Sequence, residues 1–165
     1  MIEIKFQPYT LKHYFNTKVR EACRSCKRYG KSAQCPPCLP SIKHFKKTLP
    51  KYRYGLIIYK KFIIDSTSNW EKLGKFSSLE ITECLRKKRK ELLDAGHVFI
   101  TCLGAGSCKL CPSCTSPCSK PELAITPIEG CGIDVVRLLK PFGVDIKFPV
   151  EKQGYFFRIG MILWD

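Results

Sequence analysis

A chain of 165 residues with 44% apolar content, ten Phe and seven Tyr has enough apolar mass for a real core and the length of one domain. No run of about 18 apolar residues occurs, which excludes a membrane-spanning helix. The net charge of +15 is uneven: residues 1–61 hold 15 Lys and Arg against Glu3 and Glu21, giving +13, while residues 62–165 hold 14 against 12 acids. A face that basic favours an acidic counterpart such as nucleic acid, an anionic coenzyme or an acidic redox protein. The start, Met1 to Phe6, has neither the basic nor the apolar region of an export signal, so the chain is expected in the cytoplasm, where thiols stay reduced. Eleven cysteines, an odd number, also fit a disulfide framework poorly.

Ile2–Phe6 alternates and predicts a short edge strand. Asn16 is placed to cap a helix leading into a first cysteine knuckle, and Pro36, Pro37 and Pro40 stiffen the segment after it. Ser41 reads as an N-cap, with Ile42, Phe45 and Leu49 as the apolar stripe of a short helix ended by Pro50. Tyr54–Ile64 is a β-rich apolar run interrupted by Lys60-Lys61. The clearest helix is expected over 78–95: Ser77 and Glu80 have capping-box spacing, Gly96 marks the stop, and Ile81, Leu85 and Leu92 form the stripe with Cys84 beside it. Arg86-Lys87-Lys88-Arg89-Lys90 would cover its remaining faces. His97–Leu103 predicts a buried strand, so residues 54–103 read as strand–helix–strand and favour a right-handed parallel crossover. A helix over Gly132–Leu139 and a last strand over Tyr155–Trp164 complete the chain.

The expected fold is therefore α/β or α+β: a small mixed sheet with a strand–helix–strand crossover and two cysteine-rich metal-binding loops. One domain spans 1–165. The N-terminal cysteine motif occupies 20–40, the core 54–103, the C-terminal cysteine motif 104–121, and the last helix and strand 122–165.

Eight cysteines fall into two groups. Cys108-x2-Cys111-x2-Cys114-x3-Cys118 follows the buried strand and a Gly104-Ala105-Gly106 turn. Three cysteines at x2 spacing wrap a chain around a 4Fe–4S cube, as in bacterial ferredoxins, where the fourth cysteine of the run serves the other cluster. Here Cys118 closes the same cube, or a distant cysteine does, Cys131 and Cys102 being the candidates. Structural zinc more often takes two separated knuckles, so this group favours iron–sulfur. Cys23-x2-Cys26-x8-Cys35-x2-Cys38 suits a four-cysteine zinc site and an iron–sulfur site equally. On the zinc reading, Arg20, Arg24, Lys27, Arg28 and Lys31 would meet nucleic-acid phosphates, and Tyr9, Tyr14 and Tyr29 would stack on bases.

Other residues carry less. Cys84 and Cys102 read as small apolar core residues. Cys131 stands between glycines before a helix, where a helix N-terminus would favour thiolate, and so is a further ligand or a reactive thiol. His13, His44 and His97 show no ligand spacing, and Glu129 and Asp134 suit surface or capping roles better than acid–base chemistry.

The run Cys23-x2-Cys26-x2-Tyr29-Gly30-x4-Cys35-Pro36-Pro37 resembles the N-terminal signature of an uncharacterised family of cysteine-rich predicted metal-binding proteins, frequent in anaerobic archaea and bacteria. Pro40-Ser41-Ile42, Gly106-x-Cys108-x2-Cys111-x2-Cys114 and Pro127-Ile128-Glu129-Gly130-Cys131-Gly132-Ile133-Asp134-Val135 are similar to that family too. The resemblance implies metal binding, with iron–sulfur favoured, through Cys23, Cys26 and Cys35 in one set and Cys108, Cys111, Cys114 and Cys118 in the other. Cys38 departs from the pattern, which weakens the all-cysteine zinc reading and raises that of a three-cysteine site.

Three functions follow as expectations. The first is an iron–sulfur protein with two 4Fe–4S clusters, acting in electron transfer or reductive activation of an acidic redox protein or flavoprotein. The second is an enzyme with a three-cysteine open-site cluster for sulfur transfer or Lewis-acid chemistry. The third is a zinc-bearing nucleic-acid binder.

Overall fold

The computed structural model of the chain describes residues 1–65, 69–148 and 154–165. Five strands, β1 (Ile2–Phe6), β2 (Tyr54–Ile63), β3 (Ile100–Gly104), β4 (Thr126–Pro127) and β5 (Tyr155–Trp164), form one mixed sheet in the order β1-β2-β5-β3-β4. Four helices accompany it: α1 (Thr17–Ala22), α2 (Ile42–Thr48), α3 (Trp70–Asp94) and α4 (Val135–Leu139). The fold is α+β. Among the described residues no helix is long and apolar enough to cross a membrane.

β2 and β5 pair antiparallel over their whole lengths, from Tyr54 opposite Trp164 to Ile63 opposite Tyr155. β3 pairs antiparallel with β5 and parallel with β4. β2 and β3 consequently run parallel, as the strand–helix–strand pattern predicts, but they are not neighbours: β5 lies between them. A strand that begins only at Tyr155 leaves no trace in the local pattern of 54–103, so adjacency could not be read there.

Both faces of the sheet are covered, and β2 shows why its sequence is apolar almost throughout. Leu56 and Ile58 pack with Ile81 and Leu85 of α3, together with Ile100, Cys102, Ile125 and Ile162. The alternate residues Ile57 and Tyr59 join Leu103, Met161, Ile128, Leu138 and Leu139 on the other face. The interrupting lysines are accommodated individually. Lys60 pairs with Glu80 of α3 at 2.6 Å, and the Lys61 ammonium stands 3.8 Å from the Tyr155 ring centroid.

Two caps read from sequence are formed, and Asp134, given a capping or surface role, caps a third helix. The Asn16, Ser41 and Asp134 side chains accept from the amides of Lys18, His44 and Arg137. The start of α3 is a correction. The helix begins at Trp70, capped by Asn69, and Ser77 lies within it. The Ser77 hydroxyl donates to the Gly74 carbonyl at 3.2 Å and accepts from Arg158 Nε at 2.9 Å, while Glu80 reaches Lys60 instead of a helix start. Gly74 resembles a helix breaker in sequence. In the fold it lies inside α3, and the Arg158 guanidinium rests against the helix there, 3.4 Å from the Gly74 carbonyl. The strand expected from His97 starts only at Ile100, and the helix expected from Gly132 starts only at Val135, because Gly132 sits at φ 80° and closes a turn.

Candidate metal centre

The first cysteine loop is a series of tight turns. Cys23–Ser25 is a single 3-10 turn continuing α1, closed by the Cys26 amide donating to the Cys23 carbonyl at 3.0 Å. That turn sets the Cys23 and Cys26 side chains three residues apart on one side. Repeats of the same closure follow, from the Cys35 amide to the Ser32 carbonyl and from the Cys38 amide to the Cys35 carbonyl. The Pro36–Pro37 bond in this loop is cis, as is Ser116–Pro117 in the second.

Arg20 fastens the loop to the body. Its Nη1 donates to the carbonyls of Pro40 at 2.6 Å and Gly130 at 3.0 Å, and its Nη2 to that of Leu39 at 2.8 Å. Of the basic residues assigned to phosphates on the nucleic-acid reading, Arg20 is thus committed to the backbone. Tyr14 packs against the core and so does not lie free for stacking, whereas Tyr9 is exposed. Replacing Arg20 with Ala is expected to cost about 3 kcal/mol, because three carbonyls lose a charged donor, whereas Arg24→Ala at an exposed position should stay within about 0.5 kcal/mol. Urea unfolding of the two variants measures the difference, and equal stabilities would refute the role given to Arg20.

The second cysteine loop leaves β3 at Gly104 and returns to the sheet at β4, so it stands at the C-terminal end of β3. Residues 32–35 of the first loop meet it there. The Ala33 amide donates to Cys114 Sγ at 3.3 Å, and the Cys114 thiol donates to Ser32 Oγ at 3.8 Å. Next to Cys35, Gln34 accepts a 2.7 Å hydrogen bond from the Thr126 hydroxyl of β4. The two cysteine groups, 70 residues apart in sequence, interlock through Ser32, one of the few buried polar residues, with only 5% of its surface exposed.

Electrostatics report which thiols share a neighbourhood. Burial pushes the Cys35 thiol up, a hydrogen bond from Ser32 pulls it down, and the nearby Cys26 and Cys23 sulfurs push it up again. Cys23 is raised by burial, then by Glu129 and by Cys26. Cys23, Cys26 and Cys35 thus lie in one neighbourhood, and Cys38, exposed, does not figure among the charges acting on Cys23 and Cys35. Of the second group, Cys108, Cys111 and Cys118 are half-buried and Cys114 is exposed. Among the described residues, no three His, Cys, Asp or Glu side chains stand close enough together to hold a metal ion. The donor chemistry nonetheless fits one: thiolates are the ligands of iron–sulfur clusters and of structural zinc. Amide donors to sulfur are in place at Cys114 and at Cys26, where the Arg28 amide lies 3.5 Å from Sγ.

Cys131 departs from its local expectation. It ends a 3-10 turn in the core, wholly buried, and burial drives its thiol strongly upward rather than toward thiolate. The helix start that was to activate it lies four residues further on. Cys102 is 3% exposed in the core, and burial pushes it up to about 11; Cys84 packs beside the α3 stripe. Both suit the core reading. His44 packs edge-on against Phe45, and His97 lies 3.6 Å from Asp165.

Two charged residues at the site were not legible in sequence. Burial holds the Glu129 carboxyl above its ordinary range, although Arg158 opposes this, and Glu129 in turn acts on Cys23. Arg158, itself half-buried on β5, also depresses Lys109, whose ammonium is already disfavoured by burial and is further crowded by Lys75 and Arg28. Cations from four separate stretches therefore converge beside the second loop. Ser32 could have been found by its place three residues before Cys35 in a tight turn. Glu129 and Arg158 had no local signal, since only the sheet order brings them together.

Two interlocked cysteine loops, with several cations beside the second, mark this as a cysteine-rich α+β protein. The chain belongs to the family described as predicted metal-binding protein (DUF2284), whose model matches residues 10–164. Nothing matches it among the curated proteins or the solved structures.

Proposed function

We propose that the protein holds two 4Fe–4S clusters and passes electrons to or from an acidic partner. Cys23, Cys26 and Cys35, with Cys38, would hold one, and Cys108, Cys111, Cys114 and Cys118 the other. When bound, such a centre supplies one-electron redox chemistry. The observation that supports this reading is the Ser32 junction, which joins Cys35 to Cys114 and so brings the two cysteine groups against one another. The Ala33 and Arg28 amides donate to sulfur and thereby stabilise negative charge there. Arg28, Lys75, Lys109 and Arg158 offset that charge and leave a basic face for docking. Thiolate binding and closure of the loops are one coupled process, because ligation itself contributes free energy of folding. Stopped-flow mixing of the dithionite-reduced protein with an oxidised acidic ferredoxin should show transfer that slows as salt is raised. No transfer at any ionic strength would overturn the proposal.

A second reading, an open three-cysteine centre able to bind substrate, is favoured by one observation: Cys38 is exposed and stands outside the electrostatic neighbourhood of Cys23, Cys26 and Cys35. Cys38→Ser should then leave the iron content unchanged, within about a tenth, by metal analysis of the anaerobic protein. Loss of about half the iron would assign Cys38 as the fourth ligand and remove this reading.

A further inference from the structure

β2 and β3 begin, and β5 ends, at the end of the sheet away from the second cysteine loop. Aromatic rings gather there in two stacked pairs. Tyr54 lies on Trp164 with centroids 5.5 Å apart and planes 27° apart, and His97 meets them edge-on at 6.5 and 6.4 Å. Phe99 lies on Tyr52 at 4.7 Å, and a 2.6 Å hydrogen bond between the Tyr52 hydroxyl and that of Thr101 anchors this pair to β3. In each pair one ring is half-buried, Trp164 or Tyr52, and holds the other in the open. Tyr54 is 51% exposed and Phe99 36%.

Two cavities meet at Tyr54. One, of about 350 Å³, is lined further by Lys5, Phe6, Gln7, Gly55 and Trp164. The other, of about 430 Å³, is lined further by Lys51, Arg53, His97 and Asp165. Cations therefore line both hollows themselves. Lys51 also stands 5.6 Å from the Phe99 ring centroid, so one cation neighbours both ring pairs. Asp165 is the one acid in the two linings, and it is already engaged. Its Oδ1 accepts from the Phe99 amide at 3.2 Å and lies 3.6 Å from His97 Nδ1.

A flat exposed ring beside a cation-lined hollow suits a flat ring that carries an anion close by. An anion without rings would leave Tyr54 and Phe99 wet, and a neutral aromatic would leave Lys51 and Arg53 without a counter-charge. Two outer rings with cations between them match a repeat of base and phosphate better than one nucleotide. We propose that this end of the sheet binds single-stranded nucleic acid, with one base on Tyr54, a second at Phe99 and phosphates on Lys51 and Arg53. The surface lies apart from the basic residues of the first cysteine loop, and its action needs no metal there.

Fluorescein-labelled decathymidylate is the probe, followed by anisotropy. At about 50 mM salt its Kd should fall below about 10 μM. Tyr54→Leu and Phe99→Leu keep the charge and much of the apolar bulk, and each should weaken binding at least about fivefold. Phe76→Leu, at an exposed ring on α3, should change it by less than about twofold. Lys51→Gln combined with Arg53→Gln should flatten the slope of log affinity against log salt by about 1.4. In Trp70→Phe the sole tryptophan is Trp164, whose emission decathymidylate should quench and inorganic polyphosphate should not. Circular dichroism of each variant verifies the fold, and the Trp164 signal tests the site with both proposed contact rings intact. Unchanged affinity in folded Tyr54→Leu and Phe99→Leu, or equal quenching by polyphosphate, would reduce the binding to net charge and overturn the proposal. Thymidine monophosphate binding as tightly as the strand would overturn it too, as would no binding up to about 100 μM protein.

Discussion

Prepared without oxygen, the protein is expected to carry about eight iron and eight sulfide per chain, with a brown absorbance near about 400 nm that bleaches on reduction. Cys111→Ser and Cys26→Ser should each lower the iron to about four, one change in each cysteine group. Cys84→Ser, at a position packed beside the α3 stripe, should lower it little. The sign of these effects follows from chemistry already in place. Cys26 acts on both Cys23 and Cys35, and Cys111 lies in sequence between Cys108 and the Cys114 that touches Ser32. Removing one thiolate from a four-ligand cube leaves one iron without its protein ligand and the cluster held less firmly by the chain. A colourless preparation with stoichiometric zinc would remove the iron–sulfur reading and leave the family's metal binding standing.

The second large effect lies in the core. β5 crosses α3 at Gly160, where an added Cβ would stand 2.8 Å from Ile81 Cγ2 and 3.0 Å from Leu85 Cδ1. Gly160→Val is therefore expected to destabilise the protein by about 3 kcal/mol through overpacking. Leu85→Ala, at a side chain with no exposed surface, should cost about 3 kcal/mol for the opposite reason, a cavity. Combined, the two changes should cost less than their sum by about 1–2 kcal/mol, since the new methyls occupy space the leucine vacates. Urea midpoints of the four proteins complete the cycle. Strict additivity would mean that Gly160 and Leu85 do not share one packing site.

Where the sequence could be read, the signal was local. Asn16 and Ser41 announce helix starts by the hydrogen bond each can offer, and both form it. The period-2 run of Ile2–Phe6 and the apolar run of Tyr155–Trp164 become β1 and β5 with the bounds expected. The cysteine groups announce themselves by spacing, and the family they resemble is the one the chain belongs to. What could not be read was relational. Ser77 has the residue type and spacing of a cap, yet its hydroxyl is used mid-helix by Arg158, a residue 81 positions away. Cys131 has the neighbours of an exposed turn, yet the sheet closes over it and leaves it none of its surface. Glu129 reads as a surface acid until β5 brings Arg158 beside it. In each case a strand remote in sequence decides the outcome.

That strand also governs how the molecule can be made. Because β5 fills the gap between β2 and β3, the sheet cannot close until the ribosome has released that strand, although β1 can pair with β2 before it. Until then β2 and β3 each lack the partner strand on one edge, which leaves a row of amides and carbonyls unpaired. Nascent chains in that condition are targets for holdase chaperones and for self-association, and contacts of such long sequence separation make for slow folding. Yield in a foreign host should accordingly depend on the speed of synthesis and on temperature more than on iron supply alone.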